Sequence, residues 1–136
     1  MEYKITKGEC SQFSVSEENY DSKSKEIKAG ITVRFNYDTD SRILRCAVCV
    51  DMLQHDKSLV KCECRIHFEF SEATAQSFNS GDKVQIDRGI LIQFASIAYG
   101  SLRGILIEKS NDIPFAIPVL PPVYMQQIVQ NDMTLN

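Results

Sequence analysis

Five cysteines and two histidines are the side chains of this sequence with the widest chemical reach. Cys46-Ala47-Val48-Cys49 has the C-x-x-C spacing of zinc knuckles and dithiol redox centres, and Cys62-Glu63-Cys64 would be the other half of such a site. Both groups fall in runs where apolar and polar residues alternate, the signature of a β-strand. Residues three apart in a strand point to opposite faces, so Cys46 and Cys49 cannot clasp one ion. They read as core thiols packing like small apolar groups. His55 falls in a turn and His67 on the polar side of a strand, with Cys49 about 13 Å along the sheet from the position opposite His67, too far for a nucleophile and its base. Glu63 and Glu69 could do acid–base work, but they alternate with Lys61, Arg65 and His67 as a solvated face does. Gly100-Ser101-Leu102-Arg103-Gly104 looks like a phosphate cradle, yet it lies late in a helical pattern and not at a helix start. Pro118-Val119-Leu120-Pro121 matches P-x-x-P and reads as a rigid connector. No catalytic residue, metal ligand or cofactor is expected, and the chain is read as a non-enzyme.

The elements that hold these residues are legible from periodicity. Ile31, Val33, Phe35 and Tyr37 share one face of a strand, and Leu44, Cys46, Val48, Val50 and Met52 share one face of a second. A third run puts Val60, Cys62, Cys64, Ile66, Phe68 and Phe70 inward. Opposed residues must share a face, so Met52 pairs with Val60 and Asp51 with Lys61 across a short turn at His55-Asp56-Lys57. The result is an antiparallel meander with one dry face, to which Phe13 and Val15 add a shorter strand. Ser16 to Lys28 reads as a mobile surface loop without a site.

The cover for the dry face is a long helix from Arg88 to about Ser110, with Leu91, Ala95, Ala98, Leu102 and Ile105 at steps of four and three. No charge occurs from Gly89 through Leu102, and a second apolar row, Ile90, Phe94 and Ile97, makes nearly every side dry. The uncharged run is shorter than the roughly 20 residues of a bilayer crossing. The helix is therefore expected to lie between its own sheet and a partner subunit, with Leu91, Ala95, Ala98 and Leu102 as candidate oligomer-interface residues. Prolines at 114, 118, 121 and 122 keep the following chain extended, and a short last helix is expected over Val123, Tyr124, Ile128 and Val129.

With 136 residues, 43% hydrophobic and 24% charged, the chain fits one soluble globular domain spanning residues 1–136, of α+β class. Its net charge of −3, without a basic stripe, argues against nucleic acid and anionic membranes. No secretory signal is read at the N-terminus, and the odd cysteine count suits buried free thiols in a reducing compartment, so a cytoplasmic location is expected.

Phe94 through Gly104, closing on Arg103-Gly104, resembles the long helix of the SecB family of export chaperones and its SecB-like relatives. Leu120-Pro121-Pro122-Val123 is similar to that family's Pro-Val signature before its last helix, and Cys62-Glu63 resembles a Cys-Glu pair on one of its strands. The resemblance covers roughly residues 31 to 130. It implies a four-stranded antiparallel sheet, homodimers pairing into homotetramers, and nucleotide-independent holding of unfolded or partly folded polypeptides in apolar grooves. Export clients would pass to the SecA motor, whose contact carries over at Glu63 alone, whereas some relatives serve toxin–antitoxin pairs as dedicated chaperones. The candidate peptide-binding residues are Ile90, Phe94, Tyr99, Leu120, Val123 and Tyr124. The alternative is an oligomeric scaffold or regulator for one dedicated protein. A hot-dog enzyme fits less well, because there the long helix precedes most strands.

Overall fold

A computed structural model describes residues 1–136. Four strands, β1 (Tyr3–Val15), β2 (Lys28–Asp38), β3 (Ile43–Gln54) and β4 (Lys57–Phe70), form an antiparallel sheet in the order β1-β4-β3-β2. The three C-terminal members are the meander that alternation predicts. Met52 faces Val60 and Asp51 faces Lys61, as the shared-face rule requires. The hairpin between them turns on His55 and Asp56, both left-handed with φ of 52° and 62°, the backbone of a two-residue type I′ turn. Neither residue is the glycine this conformation favours. Asp56→Gly is therefore expected to stabilise the fold by about 0.5–1 kcal/mol, seen as a raised urea midpoint with an unchanged slope.

The N-terminal strand runs the full length of the sheet and is not the short strand expected around Phe13 and Val15. Two breaks in its pairing with β4, between Ile5 and Lys7 and between Cys10 and Gln12, switch which residues face inward and erase the period-2 signal. The stretch expected to be a mobile loop is tied down. The buried Gln54 accepts from the Asp21 amide at 2.7 Å and donates to the carbonyls of Asp21 and Ser24, each at 3.1 Å, while Tyr20 stacks on Phe115 with centroids 4.3 Å apart.

After β4 come a short helix, α1 (Glu72–Ser77), and a hairpin of β5 (Asn79–Ser80) and β6 (Lys83–Ile86). The long helix α2 spans Arg88–Lys109, close to its predicted bounds, and the side chain of Asp87 caps it by accepting from the Gly89 amide at 3.0 Å. The expected last helix is instead one 3₁₀ turn at Met125–Gln127, followed by a strand, β7 (Met133–Leu135), that pairs with β6. The apolar row behind that expectation spans barely two turns and lacks a side-chain cap, and Met125 and Val129 are buried in place of Val123 and Tyr124.

One continuous core fills the space between sheet and helix. α2 lies across β3 and β4 and buries Leu91, Phe94, Ala95, Ala98, Tyr99, Leu102 and Leu106. Leu91, Ala95, Ala98 and Leu102, expected at a subunit interface, are thus covered by their own sheet, with 0–2% of their surface left. The 3.6-residue period identifies the inward stripe but cannot say which apolar stripe of a doubly apolar helix it is. Gln93, Ser96, Gly100, Ser101 and Gly104 are exposed on the other side, beside the half-buried Ile90 and Ile97. By length and composition α2 could cross a bilayer, contrary to the expectation drawn from its uncharged run, but this helix spends its apolar stripe on the sheet.

Candidate functional site

The chain after α2 runs back along one flank of that helix as an extended strap. Its prolines remove backbone donors, and its carbonyls are met by side chains of the helix. Arg103 Nε donates to the Leu120 carbonyl at 3.1 Å and the Tyr99 hydroxyl to the Pro121 carbonyl at 2.7 Å. Further on, the Arg88 guanidinium donates to the carbonyls of Gln126 at 2.6 Å and Val129 at 2.8 Å. Burial pushes the Tyr99 phenol above its ordinary value, against the pull of Arg103, so it stays protonated and keeps donating. Leu120, Met125 and Val129 plug into the core. Between these anchors the strap holds Val119 at 76% and Tyr124 at 74% exposure, with Val123 half-buried beside them. We call this stretch of the strap, residues 119–124, the ledge: its apolar side chains stand on a backbone fixed by the helix. The inner face of edge strand β2 carries a further half-buried row, Ile31, Val33 and Phe35.

Of the six residues expected to bind peptide, Val123 and Tyr124 stand on this ledge. Phe94, Tyr99 and Leu120 are core residues, exposed by 4% or less. Phe94 stacks on Phe68 with centroids 3.9 Å apart, and Tyr99 and Leu120 anchor the strap. Ile90 is accessible but lies half a turn around α2 from Tyr99. There it lines a separate depression of about 300 Å³ with Met1, Ala73, Thr74, Ser77 and Phe78. Val119 is the ledge residue that sequence reasoning missed. The signal was the extended backbone that the flanking prolines impose: it turns successive side chains to different sides, so with Leu120 in the core its neighbour Val119 is carried outward.

Of the residues with chemistry to offer, Cys10 faces Cys64 across the pairing of β1 with β4 and lies close enough to Cys62 to perturb its thiol. Cys46 is buried on the inner face and Cys49 half-buried on the outer, opposite faces as the alternation demands. Burial raises the thiols of Cys46 and Cys62 to about 12 and that of Cys64 to about 11. Cys10, expected among the buried thiols, is exposed on edge strand β1.

Glu63 lies on the outer face and is 7% exposed. It is no free acidic contact. Its carboxylate takes Arg34 at 2.6 Å, Arg65 at 3.3 Å and the Ser11 hydroxyl at 2.6 Å. Burial alone would raise its pKa, but the bonds from Ser11 and Arg34 and the two positive charges overcome this and hold it below the ordinary 4.5. A carboxyl depressed on folding stabilises the fold in full above its unfolded value and loses that contribution as pH falls through its folded value. Glu63→Gln should therefore lower stability by about 1 kcal/mol near pH 7, since Arg34 is largely exposed and screened, with the deficit shrinking below about pH 4. Urea unfolding at the two pH values reads the difference.

A four-stranded antiparallel sheet backed by one long helix is the fold of the SecB-like chaperones. Among solved structures, the chain matches the SecB-like chaperone Rv1957 of Mycobacterium tuberculosis, solved in complex with a ChAD peptide from the Rv1956 HigA1 antitoxin. The TM-score is 0.57 over 89% of this chain and 87% of that one, at 9% identity, so the likeness is one of fold. No family model and no curated protein matches the sequence.

Proposed function

We propose that this protein is a nucleotide-independent chaperone that holds non-native polypeptide segments on the apolar ledge Val119, Val123 and Tyr124 and on the half-buried inner row of β2. The observation that carries this reading is the ledge itself. Two large apolar side chains are three-quarters exposed on a backbone pinned by Tyr99, Arg103 and Arg88, so ordering them on binding costs little further entropy. An adaptable apolar surface suits clients that share exposed hydrophobic residues and no fixed shape. Phe94, Tyr99 and Leu120 serve it from beneath as supports, and Ile90 offers a second contact on the far flank of α2.

The outer side of α2, where Ser96, Gly100 and Gly104 are exposed beside Ile97, suits close approach of a second copy, and the protein works as a homodimer or homotetramer in the cytoplasm. The Rv1957 complex favours a second reading, in which the client is one dedicated partner of the toxin–antitoxin kind. Delivery of export clients to SecA finds no support at Glu63, which is neutralised by two arginines.

Aggregation of a chemically unfolded, unrelated polypeptide, followed by light scattering without nucleotide, tests this function. Near-stoichiometric suppression by an assembly of dimer or tetramer mass is the expected result. A stable oligomer that suppresses nothing would move the function to a dedicated partner.

A further inference from the structure

The outer face of the sheet points away from α2 and the ledge, and its charge departs from that of the whole chain. Ala47 on β3 lies between Arg34 on β2 and Arg65 on β4, and the next outward row sets Arg45 between Asn36 and His67. On β1, Lys7 and Glu9 extend these rows. Four cations, Lys7, Arg34, Arg45 and Arg65, thus share this patch with three carboxylates, Glu9, Glu63 and, two residues past Asn36 on the same face of β2, Asp38, in a protein of net charge −3. The carboxylates are already engaged, Glu9 by Lys7 at 3.7 Å, Glu63 by Arg34 and Arg65, and Asp38 by the Ser41 hydroxyl, which donates to it at 2.8 Å. Arg45 forms no ion pair and donates only to Asn36 Oδ1, at 3.1 Å, with Asp38 near enough to feel its charge. Arg34, Asn36, Arg45 and Arg65 ring a depression of about 250 Å³ over Ala47, whose methyl leaves it open.

We infer that this depression is a docking surface for an extended acidic segment of another polypeptide, its carboxylates paired with Arg45, Arg34 and Arg65. A site for one phosphate would gather its donors around a single point. Here the point on which Arg34 and Arg65 converge is already taken by the Glu63 carboxylate, and Arg45 is set off from Ala47 by about 7 Å along β3. Carboxylates on alternate residues of an extended chain are also about 7 Å apart, so such a segment meets several guanidiniums at once. Each guanidinium keeps donors beyond those given to Glu63 or Asn36 and can take a carboxylate through two parallel hydrogen bonds. Charge complementarity therefore selects the occupant. The surface is independent of the ledge, and either can fail without the other.

Fluorescence anisotropy with a labelled, amidated peptide of alternating Asp and Ser tests this on the full chain. The wild type should bind it, and the Asn–Ser counterpart should bind on the order of tenfold more weakly or not at all. Arg45→Gln should weaken the acidic peptide similarly, while its urea midpoint and aggregation suppression stay at wild-type values. Raising salt from about 0.05 to 0.2 M should weaken binding several-fold. Equal binding of the neutral peptide, or an unchanged affinity in Arg45→Gln, overturns the inference. So does inorganic phosphate that displaces the peptide at equal or lower concentration, which would mark a small-anion site, or occlusion of the face by a second copy, seen as self-association abolished by Arg45→Gln.

Discussion

Replacing Phe94 with alanine is expected to cost about 3–5 kcal/mol of folding stability, a substantial part of what a domain of this size possesses. Phe94 has no exposed surface, lies face to face with Phe68 at 3.9 Å, and meets Phe70 and Tyr3 at 5.7 and 4.8 Å. Truncation would leave a cavity at the contact between α2 and β4, where relaxation is blocked from both sides. Chemical denaturation checks it, and any loss of client binding should follow the loss of folded protein. A variant that keeps its stability and loses binding would instead return Phe94 to the surface and refute the placement of α2.

The opposite signature is expected for the ledge. Val119→Asp combined with Tyr124→Asp should weaken binding of a permanently unfolded polypeptide by about tenfold or more, because the charges must be desolvated against apolar client side chains. Stability should stay within about 0.5 kcal/mol of wild type, since both side chains are three-quarters exposed. Binding measured by anisotropy beside a urea titration separates the two quantities. Together, the Phe94 and ledge variants distinguish residues that build the site from residues that touch its ligand.

That distinction is what the sequence could not supply. Alternation revealed β2, β3 and β4, and the register of β3 on β4, because each has one dry and one wet face, and the same logic set Cys46 and Cys49 apart. The i, i+3, i+4 pattern revealed α2 almost to its ends. It failed where a residue's face depends on something distant. Phe94 and Ile90 belong to one apolar row in sequence, yet Phe94 meets the aromatic cluster of β4 while Ile90 meets α1. Tyr99 looked like a surface aromatic, but its hydroxyl is committed to a carbonyl 22 residues later. β1 was hidden by its two register shifts. β7 was hidden because three residues carry little periodic signal, and its pairing with β6 joins segments about fifty residues apart in sequence. Glu63 was visible as an acidic residue, but its neutralisation by Arg34 and Arg65 depends on three strands meeting.

The central claim is that clients are held at the ledge, and site-specific photocrosslinking tests it most directly. A photoreactive amino acid would replace Tyr124, Val119 or, as a control on the opposite face of the sheet, Arg45, and each protein would be irradiated with an aggregation-prone unfolded polypeptide lacking an acidic run. Adducts at 124 and 119 that vanish when the client refolds, with none at 45, are the predicted result. Aggregation suppressed without adducts at 124 or 119, or with adducts chiefly at 45, would contradict it.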